Sequence, residues 1–232
     1  MNSNTTKNFR IATAVKVAVM ALSLGVATTA SAQVAGTWLV KAGYNRISPD
    51  VSSGNLSAAS LPGTKIDVES ADAAIVTFGY MFTNNISAEL YLGTAYKHKI
   101  VGAGAIDGVG KIGSVDVLPP TLFAQYRFLE ASSAFRPYVG LGVTYARFER
   151  ERGSAVLTAI TNPGGAPTTI TIKNKVGFTP QIGVTYALTE KWFADAAVSK
   201  TYLKTTTTLS TGQKIDTKLD PMAVNLSIGY RF

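Results

Sequence analysis

The residues whose side chains could do chemistry are few and widely spaced. Lys41, Glu89, Arg127, Arg136, Asp195 and Arg231 each stand between apolar or aromatic neighbours, within a few residues of a short turn or a chain terminus. On a strand, successive side chains alternate between faces, and all six fall on the face opposite the large apolar residues. Four cations and two anions turned into one narrow space must pair or stay hydrated. Two readings of such a belt stay open: it blocks straight passage, or it is polar filling that serves stability alone. His98, the single histidine, sits between Lys97 and Lys99 at a strand end and reads as a solvated loop residue. No serine and acid are placed beside it, so acyl transfer or lipid hydrolysis has no constellation to work with. The chain has no cysteine, which excludes thiol catalysis and Cys-ligated metal. No loop carries Asp or His at metal-ligand spacing. The expectation is a non-enzyme with no cofactor and no metal.

A repeated strand pattern has to position that belt. Residues 222–232 put Met222, Val224, Leu226, Ile228, Tyr230 and Phe232 on one face, and Ala223, Asn225, Ser227, Gly229 and Arg231 on the other. Seven similar segments precede it, near 37–47, 68–82, 86–97, 115–128, 138–145, 176–188 and 192–198. In the third, Ile86, Ala88, Leu90, Leu92 and Tyr96 are read together on the apolar face. Long polar connections at 48–67, 98–114, 150–174 and 205–219 alternate with short ones at 83–85, 129–135 and 189–191. Short turns on one side and long loops on the other are the pattern of bacterial outer-membrane barrels. Strands of about 9–11 tilted residues are long enough to cross the hydrocarbon.

Period alone does not say which face looks out, because a soluble ligand-binding barrel alternates in the same way. Two features decide. Trp38, Tyr44, Phe82, Phe128, Tyr145, Tyr186, Trp192, Tyr230 and Phe232 gather at strand ends, where rings meet the lipid–water boundary. The opposite face is mostly Gly, Ala, Ser and Thr, a poor soluble exterior but a workable lumen. The fold class is therefore all-β: an eight-stranded antiparallel up-and-down transmembrane β-barrel in the bacterial outer membrane.

The N-terminus reads as an export signal. Lys7, Arg10 and Lys16 precede an apolar run at 17–27, and Ala30-Ser31-Ala32 offers a cleavage site, giving a leader over 1–32 and a barrel over 33–232. The net charge of +8 includes those three cations, and no Lys/Arg run points to nucleic acid. The partners expected are outer-membrane lipids and small hydrophobic solutes, with the protein a monomer.

Above the belt the inward set is less charged: Ile47, Ile75, Thr77, Tyr91, Val117, Thr121, Phe123, Thr144, Phe148, Thr179, Gln181, Leu203 and Asn225. Apolar walls with scattered hydroxyls suit a weakly held apolar solute, unless these side chains pack the lumen solid. Pro119, Pro120 and Pro180 each remove a ladder donor. They mark either a weakened wall, through which a solute leaves sideways, or plain bulges. A structural or surface-binding barrel acting through its loops is the third class of function.

Several blocks resemble the OmpW family of outer-membrane proteins. They are Trp38-Leu39-Val40-Lys41-Ala42-Gly43 with Ser48-Pro49-Asp50, and Leu118-Pro119-Pro120-Thr121-Leu122-Phe123-Ala124-Gln125-Tyr126. Arg136-Pro137-Tyr138-Val139-Gly140-Leu141-Gly142-Val143-Thr144-Tyr145, Leu219-Asp220-Pro221 and the closing Gly229-Tyr230-Arg231-Phe232 fit as well. The resemblance covers essentially the whole chain after the leader and departs mainly in loop lengths. It implies an eight-stranded barrel with a largely hydrophobic tunnel that passes small hydrophobic molecules inward, and fixes no substrate.

Overall fold

Inside hydrocarbon no water pairs with a backbone N–H or C=O, so a spanning sheet must close on itself. The computed structural model describes residues 33–232 and meets that demand. In chain order its elements are β1 (Trp38–Ser48), β2 (Ser52–Ser53), β3 (Thr64–Val68), β4 (Ala71–Met81), β5 (Ile86–Gly93), β6 (Tyr96–Gly104), β7 (Lys111–Leu118) and β8 (Thr121–Arg127). Then come β9 (Phe135–Gly153), α1 (Ala155–Thr161), β10 (Ile170–Ile172), β11 (Lys175–Ala187), β12 (Trp192–Lys200), β13 (Lys204–Leu209), β14 (Lys214–Lys218) and β15 (Met222–Arg231). Eight of these run β11-β12-β15-β1-β4-β5-β8-β9, and β9 pairs back onto β11 to shut the ring. The first and last strands zip from Leu39↔Arg231 to Ser48↔Met222. The leader expected over 1–32 lies outside the described residues.

The outward face is apolar between two rings of aromatics. At the short-turn end Trp38, Tyr80, Phe82, Tyr126, Phe128, Trp192, Tyr230 and Phe232 meet in tilted or edge-to-face pairs 4.9–5.1 Å apart. At the other end Tyr44, Tyr145, Phe178 and Tyr202 are exposed. Beyond them the outer face turns charged, with Arg46–Asp72 at 3.3 Å, Arg147–Glu149 at 2.7 Å and Lys200–Asp50 at 3.7 Å. Between the rings Val143, Ile182 and Leu226 are more than half exposed, as lipid-facing side chains must be.

The regions read as long loops all contain strand. Residues 48–67 contain β2 and most of β3, 98–114 most of β6 and the start of β7, 150–174 the end of β9 with α1 and β10, and 205–219 most of β13 and all of β14. The wall thus rises beyond the membrane as two four-stranded arrays, β9-β7-β6-β3 and β10-β13-β14-β2. They share an apolar core that includes Ile100, Val115, Phe148, Ile170, Leu203 and Leu209.

One extra residue changes what faces inward. Tyr91 pairs with Thr121, but Tyr96 pairs with Val117, so residues 92–95 span what 118–120 cover on the partner. Such an insertion flips every later side chain to the other face. Tyr96, expected on the lipid side, is accordingly buried. His98, expected in a solvated loop, lies in β6 and is 5% exposed, its ring stacked 6.4 Å from Tyr96 and its Nδ1 2.8 Å from the Glu69 carbonyl.

Leu226→Arg places a cation mid-strand against lipid. Reversible urea unfolding in vesicles should show a loss of about 2–4 kcal/mol, the cost of a basic residue at the bilayer midplane.

Candidate functional site

The lumen has a closed floor. Lys41 on β1 places its Nζ 2.7 Å from Glu89 Oε1 on β5 and 3.0 Å from Asp195 Oδ1 on β12, and all three side chains are buried. Buried charges persist only if paired and hydrogen-bonded, and here each one is. Thr77 donates to Glu89 Oε1, and Gln125 Nε2 donates to Glu89 Oε2 at 2.9 Å. Tyr138 OH and Thr185 Oγ1 both donate to Asp195 at 3.1 Å. Arg127 donates to Thr185 and to Gln125, both at 2.9 Å, with its guanidinium 4.8 Å from the Tyr138 ring centroid. Gln125 also donates to Gln181, which donates to Tyr91 OH. Glycines let the rings reach this depth: a Cβ on Gly183 would strike Tyr138, and one on Gly229 would strike Phe193.

Of the six charges read as one belt, Lys41, Glu89, Arg127 and Asp195 converge in this floor. Arg136 and Arg231 form a separate tier at the short-turn mouth. Arg136 donates to the carbonyls of Asn84 at 2.7 Å and Gln33 at 3.3 Å. Arg231 donates to Thr189 O at 3.4 Å and lies 5.8 Å from the Phe193 ring.

Among the described residues, two adjoining cavities that share Ile47, Pro119, Thr144 and Thr201 stand above the floor. The lower one encloses about 570 Å³ with its opening and is lined by Ile47, Ile75, Tyr91, Thr121, Phe123, Thr144, Thr179, Gln181 and Asn225, all expected in the lining. The upper one encloses about 760 Å³ with its mouth, and Ile47, Val117, Thr144, Phe148 and Leu203 contribute to its wall. Thr77 lines neither and belongs to the floor through Glu89. Where the cavities meet, hydroxyls chain across β8, β9 and β11 to the residue after β12: Thr121 to Thr144 at 2.8 Å, Thr144 to Thr179 at 2.6 Å, and Thr179 to Thr201 at 3.1 Å. Asn45 and Tyr96 in the lower wall and Ile66, His98, Val115 and Thr217 in the upper wall were not among the expected lining residues. For Tyr96 and His98 the missing signal is the inserted residue. For Thr217 the signal was there, since Ile215 and Thr217 alternate with Lys214, Asp216 and Lys218, but 205–219 reads as a loop. Burial among the apolar walls pushes the His98 pKa down, against the upward pull of its bond to Glu69.

The prolines lie at the outer aromatic ring. Pro119 lines both cavities, and the Pro120 carbonyl accepts from Tyr145 N at 3.0 Å, which keeps the β9 side sealed. Among the described residues no ladder pair joins 92–95 to 118–120. Pro180 opposes Leu141 on β9, and the β11–β12 ladder skips from Gln181↔Ser199 to an isolated Phe178↔Tyr202 bridge.

Comparison with known proteins agrees with this architecture. The family model described as OmpW matches residues 34–232. The chain belongs to the OmpW family. Outer membrane protein W of Salmonella typhi is 35% identical over 222 residues, covering 93% of this chain and 98% of that protein. The crystal structure of OprG from Pseudomonas aeruginosa superimposes with a TM-score of 0.77 at 28% identity, covering 89% of this chain and 99% of that one. At greater distance, the dibenzothiophene metabolism operon protein PahQ of Pseudomonas aeruginosa is 25% identical over 84% of this chain and 88% of its own length. As an OmpW-family barrel the protein resides in the outer membrane, with lipid against its aromatic-edged outer face.

Lys41→Met removes the one cation bonded to both floor carboxylates and leaves them buried beside Arg127. The barrel should lose about 3–5 kcal/mol in urea unfolding. Adding Glu89→Gln and Asp195→Asn should recover much of that loss.

Proposed function

We propose that this barrel, acting as a monomer, conducts small hydrophobic molecules inward by passive diffusion and releases them sideways into the outer leaflet. On this route a solute enters the upper cavity, descends past the threonine neck and is stopped by the floor around Lys41, Glu89, Arg127 and Asp195. It leaves through the wall near Pro119 and Pro120, with Pro180 loosening the opposite side of β9. No catalytic step is involved.

The observation that carries the reading is one conjunction. An apolar shaft ends on a sealed ionic floor, and its lower cavity reaches Leu92 and Gly93, where the strand pairing to Pro119 and Pro120 is missing. An unpaired backbone group costs several kcal/mol in hydrocarbon, so a gap there is maintained only with water or a solute path beside it. Support of another kind comes from PahQ, whose name ties that relative to an operon for metabolism of dibenzothiophene, an apolar aromatic.

Two measurements test the route. Replacing Pro119 and Pro120 by Val restores ladder donors and should slow uptake of a hydrophobic tracer into vesicles several-fold; an unchanged rate counts against the side exit. Arg127→Ala with Arg136→Ala should raise single-channel ion conductance by opening the way below the shaft. If conductance stays at the wild-type level, the floor is not what stops passage.

A further inference from the structure

The lower cavity contains polar groups that nothing in the protein satisfies. Asn45 and Asn225 are register partners on β1 and β15, both line this cavity, and both are at least nine-tenths buried. Asn45 spends its Nδ2 on the Tyr96 hydroxyl at 2.6 Å, but its Oδ1 has no partner. Asn225 has no partner on Oδ1 or Nδ2. Buried carboxamides are normally hydrogen-bonded, and an unpaired one forfeits its hydration. The strands that carry them are fully laddered here, so the backbone offers no reason to place asparagine on this face. Their level is that of the outer aromatic ring: Asn45 lies between Tyr44 and Arg46, in the same cavity as Pro119, Leu92 and Gly93.

We infer that Asn45 and Asn225 form a recognition subsite for the hydroxyl group of an uncharged, otherwise apolar molecule, an alcohol or a phenol, held at the side exit. This rests on the conduction reading above and names the class of solute. The donor and acceptor inventory selects that class. The free groups are two carboxamide oxygens and one NH₂, so the ligand must bring a donor and also accept. A hydroxyl does both. A ketone or ester accepts only and leaves both oxygens unpaired, and a pure hydrocarbon satisfies none of the three. A carboxylate meets no cation there, because among the described residues no charged side chain lines the lower cavity and His98 is the only titratable one lining the upper. The walls above, with Ile47, Val117, Phe148 and Leu203, accommodate the apolar body of the same molecule.

The test compares 1-naphthol, naphthalene and 1-naphthoate on the full barrel in lipid nanodiscs, with empty nanodiscs as the partition control. Binding is read by NMR titration, and uptake in vesicles is measured in parallel. Wild-type protein should bind 1-naphthol about tenfold more tightly than naphthalene, the worth of one well-made buried hydrogen bond, and 1-naphthoate least. Asn225→Leu keeps the volume close and should collapse the naphthol-to-naphthalene preference to near one. Equal binding of naphthol and naphthalene to the wild type would overturn the subsite while leaving conduction of both intact. A preference that survives Asn225→Leu together with Asn45→Leu would also overturn it. If neither compound enters protein-containing vesicles faster than empty ones, the conduction reading falls, and the subsite with it. The wild-type comparison needs no variant, so a substitution that fails to fold cannot rescue the inference.

Discussion

The structure follows from the demand that every backbone N–H and C=O in hydrocarbon find a partner within the protein. Eight strands answer it by closing a ring, and closure fixes the two-sided character of each strand. With lipid on one side, the period of two leaves the alternate residues facing an enclosed space too narrow for bulk water. That space tolerates charge only as a satisfied network. Lys41 bonds both Glu89 and Asp195, while Gln125, Thr77, Tyr138 and Thr185 take up the remaining lone pairs. The floor is the form charge has to take inside a small sealed ladder.

Past the outer aromatic ring the demand relaxes, because water can solvate an unpaired carbonyl. The ring there gives way to two four-stranded arrays. Side chains rather than ladder pairs bridge part of the seams, as when Asn174 Oδ1 accepts from Phe148 N and Ser53 Oγ from Ile66 N. The change happens at one level. The inserted residue in 92–95, the Pro119–Pro120 pair and the skipped pairs beside Pro180 all lie near Tyr145 and Phe178. Just below that level a missing pair costs most, and just above it almost nothing. An interruption placed at this boundary breaks the ladder at the least cost compatible with contact to lipid.

How far the sequence reveals this depends on contrast between faces. In the membrane half the contrast is large: Val40, Ala42 and Tyr44 against Lys41, Gly43 and Asn45. Strand number, orientation and the floor residues Lys41, Glu89, Arg127 and Asp195 are all legible there. On β13 it vanishes. Thr205 and Thr207 are buried while Thr206 and Thr208 face out, and a threonine pattern reads the same from either side. The inserted residue is harder still, since nothing in Leu92-Gly93-Thr94-Ala95 announces a bulge, yet it decides whether His98 faces water or the shaft. Arg136 and Arg231 share the chemistry of the floor and the inward face. Only height along the axis sets them in a separate tier, and height follows from register, which alternation does not encode.

On the proposed route those features combine into a selective filter without any moving part. An ion entering from outside would have to shed its hydration along walls of Ile66, Val115, Val117, Phe148 and Leu203, at a cost that threonines such as Thr144 and Thr217 offset only in part. An apolar solute taking the proposed route crosses that stretch but does not displace the floor, where Lys41 is paired with Glu89 and Asp195 and Arg127 is held by Thr185 and Gln125. On the proposed route the solute is therefore confined to the height at which the wall is weakest, and lipid is the one favourable phase within reach. At the inferred subsite, uncharged asparagines at that height would add discrimination among apolar solutes without readmitting ions, since a carboxamide compensates a hydroxyl well and a full charge poorly. Apolar shaft, ionic floor and boundary-level gap each follow from where the ladder is complete and where it is not, so the proposed selectivity and the fold have one origin.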